Sequence, residues 1–141
     1  MIFLDASVLL ACEDSDDDQH EASLALLRTG ALATIDLALY ETTNVAITRW
    51  QDQAAATRLR QRIWTIAELG TLIRVDPQLG DDIAQLAPEH RLSSYDAAYV
   101  AGSRRLGITM ASCDRRDLVS TGLAQLPSTI IDTDPALLRR P

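Results

Sequence analysis

The chain predicts an α/β fold, a single domain of 141 residues with a central parallel sheet of about five short strands flanked by helices. Three observations predict it. Short apolar runs such as Ile2 to Leu4 and Leu72 to Val75 alternate with longer segments of helical period. No internal repeat, low-complexity tract or linker divides the chain. A hydrophobic content of 47 % supplies a real core at this length and argues against disorder.

Taken in order, the chain opens with a strand over 2–4, and Asp5-Ala6-Ser7 turns it into a helix over about 7–12. The run Glu13 to Asp18 has acids at alternating positions, as a calcium loop would. It fails as an EF-hand, because Gln19 stands where glycine is needed and Ala25 where the closing glutamate is needed, and it reads as a solvated loop. A helix over about 20–29 is stopped by Gly30, and a short strand follows near 31–34. Helices come next over about 37–50, with Leu39, Thr43, Ala46 and Trp50 as the buried stripe, and over 53–69. The second carries Leu59, Ile63, Ile66 and Ala67 on one face and Arg58, Arg60 and Arg62 on a solvated one, and Gly70 closes it. A strand over 72–75 leads to Asp76-Pro77, which starts a helix through about Ala87; Pro88 to Ser93 is a loop. A helix over 94–106, a strand over 108–112 and a final strand near 128–131 complete the reading.

The main clue to function is a dispersed set of acids. Asp5 and Asp114 each stand just past the end of a strand-like run, where an open parallel sheet binds ligands. Glu41 lies within the helix over 37–50, sharing a face with Asn44 at i, i+3 spacing, and Asp96 falls in the first turn of the helix over 94–106. Each has a plainer reading. Asp5 and Asp96 suit the start of a helix, and Glu41 alone is an ordinary exposed acid. Gathered together, such side chains repel and raise one another's pKa, unless a divalent cation holds them.

The remaining composition excludes several classes. The net charge is −7 and all thirteen basic residues are Arg. Without Lys there is no Walker A loop, and the six glycines are too isolated for a dinucleotide fingerprint. Haloacid-dehalogenase phosphatases repeat Asp two residues after the first, where this chain has Ser7, and receiver domains want paired acids and a late Lys. The two histidines, His20 and His90, sit in neither nucleophile nor zinc spacing, and Cys12 and Cys113 read as reduced core residues of a cytoplasmic protein. No basic region precedes the first apolar run, and no stretch approaches the roughly 20 apolar residues of a membrane span.

On Leu4-Asp5-Ala6-Ser7-Val8-Leu9-Leu10, Glu41 with Asn44, Ser94-Tyr95-Asp96-Ala97-Ala98-Tyr99-Val100-Ala101 and Ser112-Cys113-Asp114-Arg115-Arg116-Asp117, the chain resembles the PIN-domain family, and within it the VapC-type toxins. Order and spacing carry the resemblance rather than any one motif, and it spans nearly the whole chain. It implies a PIN-like three-layer fold and a ribonuclease dependent on Mg²⁺, or on Mn²⁺ in its place. Asp5, Glu41, Asp96 and Asp114 would be its acidic quartet and Asp117 an optional fifth member. It also implies a homodimer and a VapB-like antitoxin whose C-terminal segment covers the cleft.

On that basis Asp5, Asp96 and Asp114 are expected to hold the metal, with Glu41 assisting a second ion or orienting the attacking water. Ser7, Asn44 and Ser112 are expected to hold the carboxylates in place by hydrogen bonds, or else to make only local capping and turn bonds. Arg104, Arg105, Arg115 and Arg116 are the candidates for contacting RNA phosphate; for the first pair, complementing a helix C-terminus is the equal alternative. Two other classes stay open: a non-catalytic PIN-like binding module, and a metal-dependent phosphatase of small metabolites.

Overall fold

The computed structural model of the chain describes residues 1–134. Strands β1 (Ile2–Leu4), β2 (Leu32–Ile35), β3 (Thr71–Ile73) and β4 (Met110–Ala111) form one parallel sheet in the order β3-β2-β1-β4. The register sets Phe3 beside Ala33 on one side and Met110 on the other. Both central strands are buried along their whole length, which is why they read as continuous apolar runs rather than alternating ones.

Helices α1 (Ala6–Ala11), α2 (His20–Leu27), α3 (Leu37–Asn44), α4 (Gln53–Leu69), α5 (Pro77–His90), α6 (Ser94–Leu106) and α7 (Pro127–Thr133) surround the sheet. Helix α4 packs on β2 and β3, and α6 packs on β1, β2 and β4. Gly102 is what lets α6 approach so closely, since a Cβ there would lie 2.6 Å from Cζ of the fully buried Phe3. Among the described residues no helix is long and apolar enough to cross a membrane.

Four expectations are corrected. The segment near 128–131 is helix, not strand: Pro127 occupies the first turn of α7, a position that suits its missing N–H, and Ile130 is buried. What remains of a fifth strand is a single parallel bridge between Ala111 and Gln125, so the sheet has four strands. The helix over 37–50 changes pitch after Asn44 into a π-helical turn, Val45–Arg49, closed by the Trp50 N–H donating to the Val45 carbonyl at 3.1 Å. Its buried positions are Ala38, Thr42 and the expected Ala46; of the other expected residues Leu39 and Trp50 are half-buried against the core, and Leu39 and Thr43 line an apolar hollow of about 500 Å³ with Tyr40, Ile47 and Trp64. Lastly, α5 runs through Pro88 to His90, since proline in the last turn removes only one intrahelical bond, and Arg91 ends the helix at φ 56°.

The acidic loop is also less solvated than expected. The Glu13 side chain is only 5 % exposed, with Oε2 accepting from Arg58 Nε at 2.7 Å and Oε1 from Arg62 Nη2 at 2.8 Å, so two arginines of the supposedly solvated α4 face anchor the loop.

Candidate active site

The strand order reverses at β1, with β2 and β3 on one side and β4 on the other. In an open parallel sheet, the crevice beyond the carboxyl ends of the strands at such a reversal is where ligands bind. Asp5 follows β1 directly, and Asp114 follows β4 by three residues.

Asp5 is both a helix cap and a buried acid, so its two sequence readings coexist. Its Oδ1 accepts the Val8 N–H at 3.2 Å, which starts α1, and the Ser7 hydroxyl at 2.5 Å. Burial pushes its pKa up from 3.8 to about 6, while the hydroxyls of Ser112 and Ser7 and the N–H groups of Val8 and Ser7 pull it back. Ser7 Oγ in turn accepts the Cys113 N–H at 2.8 Å, and Ser112 Oγ accepts the Asp114 N–H at 2.9 Å. A short web of serine hydroxyls thus ties the ends of β1 and β4 together. This is the placement expected of Ser7 and Ser112.

Glu41 reaches the same cleft from α3, where its Oε2 accepts the Tyr99 hydroxyl of α6. Burial raises its pKa first; the Asp96 charge adds to the rise and the Tyr99 hydroxyl opposes it. Asp96, one turn before Tyr99 on α6, accepts the Ser93 hydroxyl at 2.6 Å while its own N–H donates to Ser93 Oγ at 3.0 Å. That is a reciprocal helix cap, as the plainer reading required. Asp114 likewise caps the π-helical turn Arg115–Val119, with Oδ1 accepting the Arg116 and Asp117 N–H groups, each at 3.0 Å.

These contacts make a continuous chain of charged neighbours. Asp5 and Glu41 both act on Tyr99, Asp96 acts on Glu41, and Asp117, Asp114 and Asp96 all support the charge of Arg116. The four acids come from β1, α3, α6 and the segment after β4, and local caps or partners orient each one.

A model of the PIN domain matches residues 2–122. The chain belongs to the PIN-domain family. As a PIN domain it is similar to a curated relative, Ribonuclease VapC3 of Pyrobaculum aerophilum, at 27 % identity over 82 % of this chain and 90 % of the relative. Its fold is similar to that of Mycobacterium tuberculosis VapC20, described as a sarcin-ricin loop cleaving toxin, with TM-score 0.69 at 21 % identity over 86 % of this chain and 95 % of the other. It is also similar to a chain of a toxin-antitoxin complex from Klebsiella pneumoniae, with TM-score 0.68 at 15 % identity over 90 % and 98 %.

Other expected site residues of this PIN domain fall elsewhere. Asn44 is exposed and lines the apolar hollow with Tyr40 and Trp64, and among the described residues its side chain is hydrogen-bonded to no carboxylate. Arg104 and Arg105 sit in the last turn of α6, eight and nine residues past Asp96 and so about 12–14 Å along the axis. Arg105 grips Asp76 with two bonds of 2.7 and 3.0 Å, and Arg104 leans on His90. The pair therefore complements a helix end and caps the start of α5 rather than forming a rim for the cleft. Arg115 and Arg116 do border it, each paired to an acid: Arg115 to Asp18, and Arg116 to Asp117 through bonds of 2.7 and 2.9 Å. Asp117's carboxyl is consequently held below the usual range by Arg116.

Among the described residues no three His, Cys, Asp or Glu side chains stand close enough to hold a metal ion as they are. The donor chemistry still fits a hard divalent cation. Every candidate is an oxygen ligand, two of the carboxyls are pushed upward by burial, and one feels a neighbouring acid. Tyr99 is the residue that sequence reasoning missed. A signal existed, because it lies at i+3 from Asp96, and a buried tyrosine needs a partner for its hydroxyl.

Proposed function

We propose that this PIN domain is a metal-dependent endoribonuclease, the toxin of a toxin–antitoxin pair, which stops translation and growth unless a VapB-like antitoxin neutralises it. One observation supports the reading above others: Asp5 and Asp114 follow the carboxyl ends of the two strands at the reversal of the strand order, and Asp96, Glu41 and Asp5 are linked through Tyr99 and their mutual charges. The ribonuclease and toxin descriptions of its relatives support the substrate class and the partner.

Asp5, Asp96 and Asp114 would hold Mg²⁺ or Mn²⁺, with Asp117 available once Arg116 releases it. The ion would lower the pKa of water and neutralise charge on the phosphate oxygens. Glu41, half-buried and fixed at one oxygen by Tyr99, orients the attacking water with the other. Ser7 and Ser112 keep Asp5 aimed into the crevice. Water attacks phosphorus in line, the bond from phosphorus to the 3′ oxygen breaks, and that oxygen leaves with a proton. The chain has no Lys and neither histidine borders the acids, so nothing is placed to activate the RNA 2′-hydroxyl.

The antitoxin would place a basic side chain against the carboxylates, and the toxin would act in the cytoplasm as a homodimer. Sequencing RNA ends after induced expression tests the reading, with Asp5→Asn as the inactive control. The expected ends are 5′-phosphate and 3′-hydroxyl; a 2′,3′-cyclic phosphate, or no new ends with the unaltered chain, refutes it.

A further inference from the structure

Every acid of the quartet but one is aimed by a partner within three residues of it in the chain. Asp5 takes the Val8 N–H, Asp114 the Arg116 and Asp117 N–H groups, and Asp96 the hydroxyl of its own cap Ser93. Glu41 sits in mid-helix, where no free N–H points at it, and has three side-chain torsions to restrain. Among the described residues its one hydrogen-bond donor is Tyr99, 58 residues away.

Tyr99 is built for that task. It is only 2 % exposed and lies one turn after Asp96 on α6. Its proton goes to Glu41, and it is close enough to Asp5 to feel that residue's charge. One hydroxyl therefore joins α3 to α6, the helices that carry Glu41 and Asp96, within reach of the Asp5 charge. Burial first, then the Glu41 charge, push its own pKa far up, so it stays a proton donor at any working pH.

Resting on the ribonuclease reading, we infer that Tyr99 is a positioning residue for the reaction: it holds Glu41 by Oε2 and leaves Oε1 facing the crevice. Phenylalanine at this position keeps the ring and its packing and removes only the hydroxyl.

The test compares the full chain with Tyr99→Phe, Glu41→Gln and the double variant. Three measurements are made: cleavage of a single-stranded RNA oligonucleotide, calorimetric binding of Mn²⁺ without RNA, and urea unfolding. For Tyr99→Phe the expected result is a kcat about 10-fold lower or more, with KM within about twofold, and Mn²⁺ binding several-fold weaker. In the Glu41→Gln background the same change should lower kcat no further, because its target is already gone. Glu41→Asp, which retracts the carboxylate from the phenol, should resemble Tyr99→Phe and serves if the latter folds poorly. Wild-type kcat and Mn²⁺ affinity in Tyr99→Phe would overturn the role of Tyr99 alone, as would a loss that multiplies with that of Glu41→Gln. An unaltered chain that neither cleaves RNA nor takes up Mn²⁺ would remove the reaction itself, and the role of Tyr99 with it.

Discussion

Replacing Asp5 by Asn should make the metal-free protein more stable at neutral pH while abolishing its activity. Asp5 is 4 % exposed and its pKa rises from 3.8 to about 6 on folding. Because the folded value lies above the unfolded one, its favourable contribution is complete below about pH 4 and is lost as pH rises through about 6. A rise of roughly 2 units at 1.36 kcal/mol each means that ionised Asp5 lowers stability at pH 7.5 by about 3 kcal/mol relative to a neutral side chain. Asn keeps an acceptor for the Val8 N–H and the Ser7 hydroxyl, but its amide brings two donors into a buried site, at about 1–2 kcal/mol. The expected net gain is about 1–2 kcal/mol, a rise of roughly 2–8 °C in Tm for a domain of this size. The assay is urea unfolding with a chelator present at pH 4.5, 6 and 7.5. At pH 4.5 wild-type Asp5 is itself neutral, so the advantage should vanish or reverse. A variant less stable than wild type at pH 7.5, or an advantage that stays constant down to pH 4.5, refutes the reasoning. Mn²⁺ at 100 times its Kd should then add about 2.7 kcal/mol to wild type and far less to the variant.

Asp96→Asn and Asp114→Asn should both abolish RNA cleavage while shifting the urea midpoint by no more than about 1 kcal/mol, since Asn still accepts the capping bonds. A cleaving Asp96→Asn protein would reduce that residue to its cap. Gly102→Ala should destabilise by about 1–3 kcal/mol, because its Cβ would sit 2.6 Å from the Phe3 ring and α6 would have to lift from β1. Unfolding measurements showing no loss would mean that α6 does not approach the strand so closely.

What was legible in the sequence was what local chemistry controls. Asp5, Asp96 and Asp114 stand at strand ends and helix starts, where the backbone dictates both the cap and the direction of the side chain. Ser7 and Ser112 could be read for the same reason, being two residues from Asp5 and Asp114. Contacts across the fold were not legible. The Tyr99 bond to Glu41 spans 58 residues and the Arg62 bond to Glu13 spans 49, so nothing local names Tyr99 as the partner of Glu41, and Glu13 reads as part of a solvated loop. The shift of the α3 stripe at its first two positions, from Leu39 and Thr43 to Ala38 and Thr42, has a related cause. Thr42 is buried with its hydroxyl satisfied by the Ala38 carbonyl at 2.7 Å, so a polar residue occupies a core position that apolar periodicity assigns elsewhere. The segment near 128–131 carries conflicting signals: Thr129-Ile130-Ile131 is β-branched and suits a strand, while Pro127 suits a helix start, and packing of Ile130 into the core accompanies the helix.

A net charge of −7 remains at odds with RNA binding unless the arginines near the cleft can change partners. Arg115 and Arg116 both border it and both are tied to carboxylates, Asp18 and Asp117. These pairs are exposed, with Arg116 87 % accessible, and an exposed pair contributes at most about 1 kcal/mol. A phosphate offers the same forked geometry that a carboxylate does, so each guanidinium can pass from acid to RNA at small cost. The exchange frees Asp117 as it engages the substrate. If the ribonuclease reading holds, an Arg116 that turns to phosphate would give up the Asp117 carboxylate, three residues from Asp114, and add an oxygen donor to the proposed cation site. Under the proposed function, substrate and cation would then favour each other's binding, and acids that repel RNA in the resting protein would become part of what retains it.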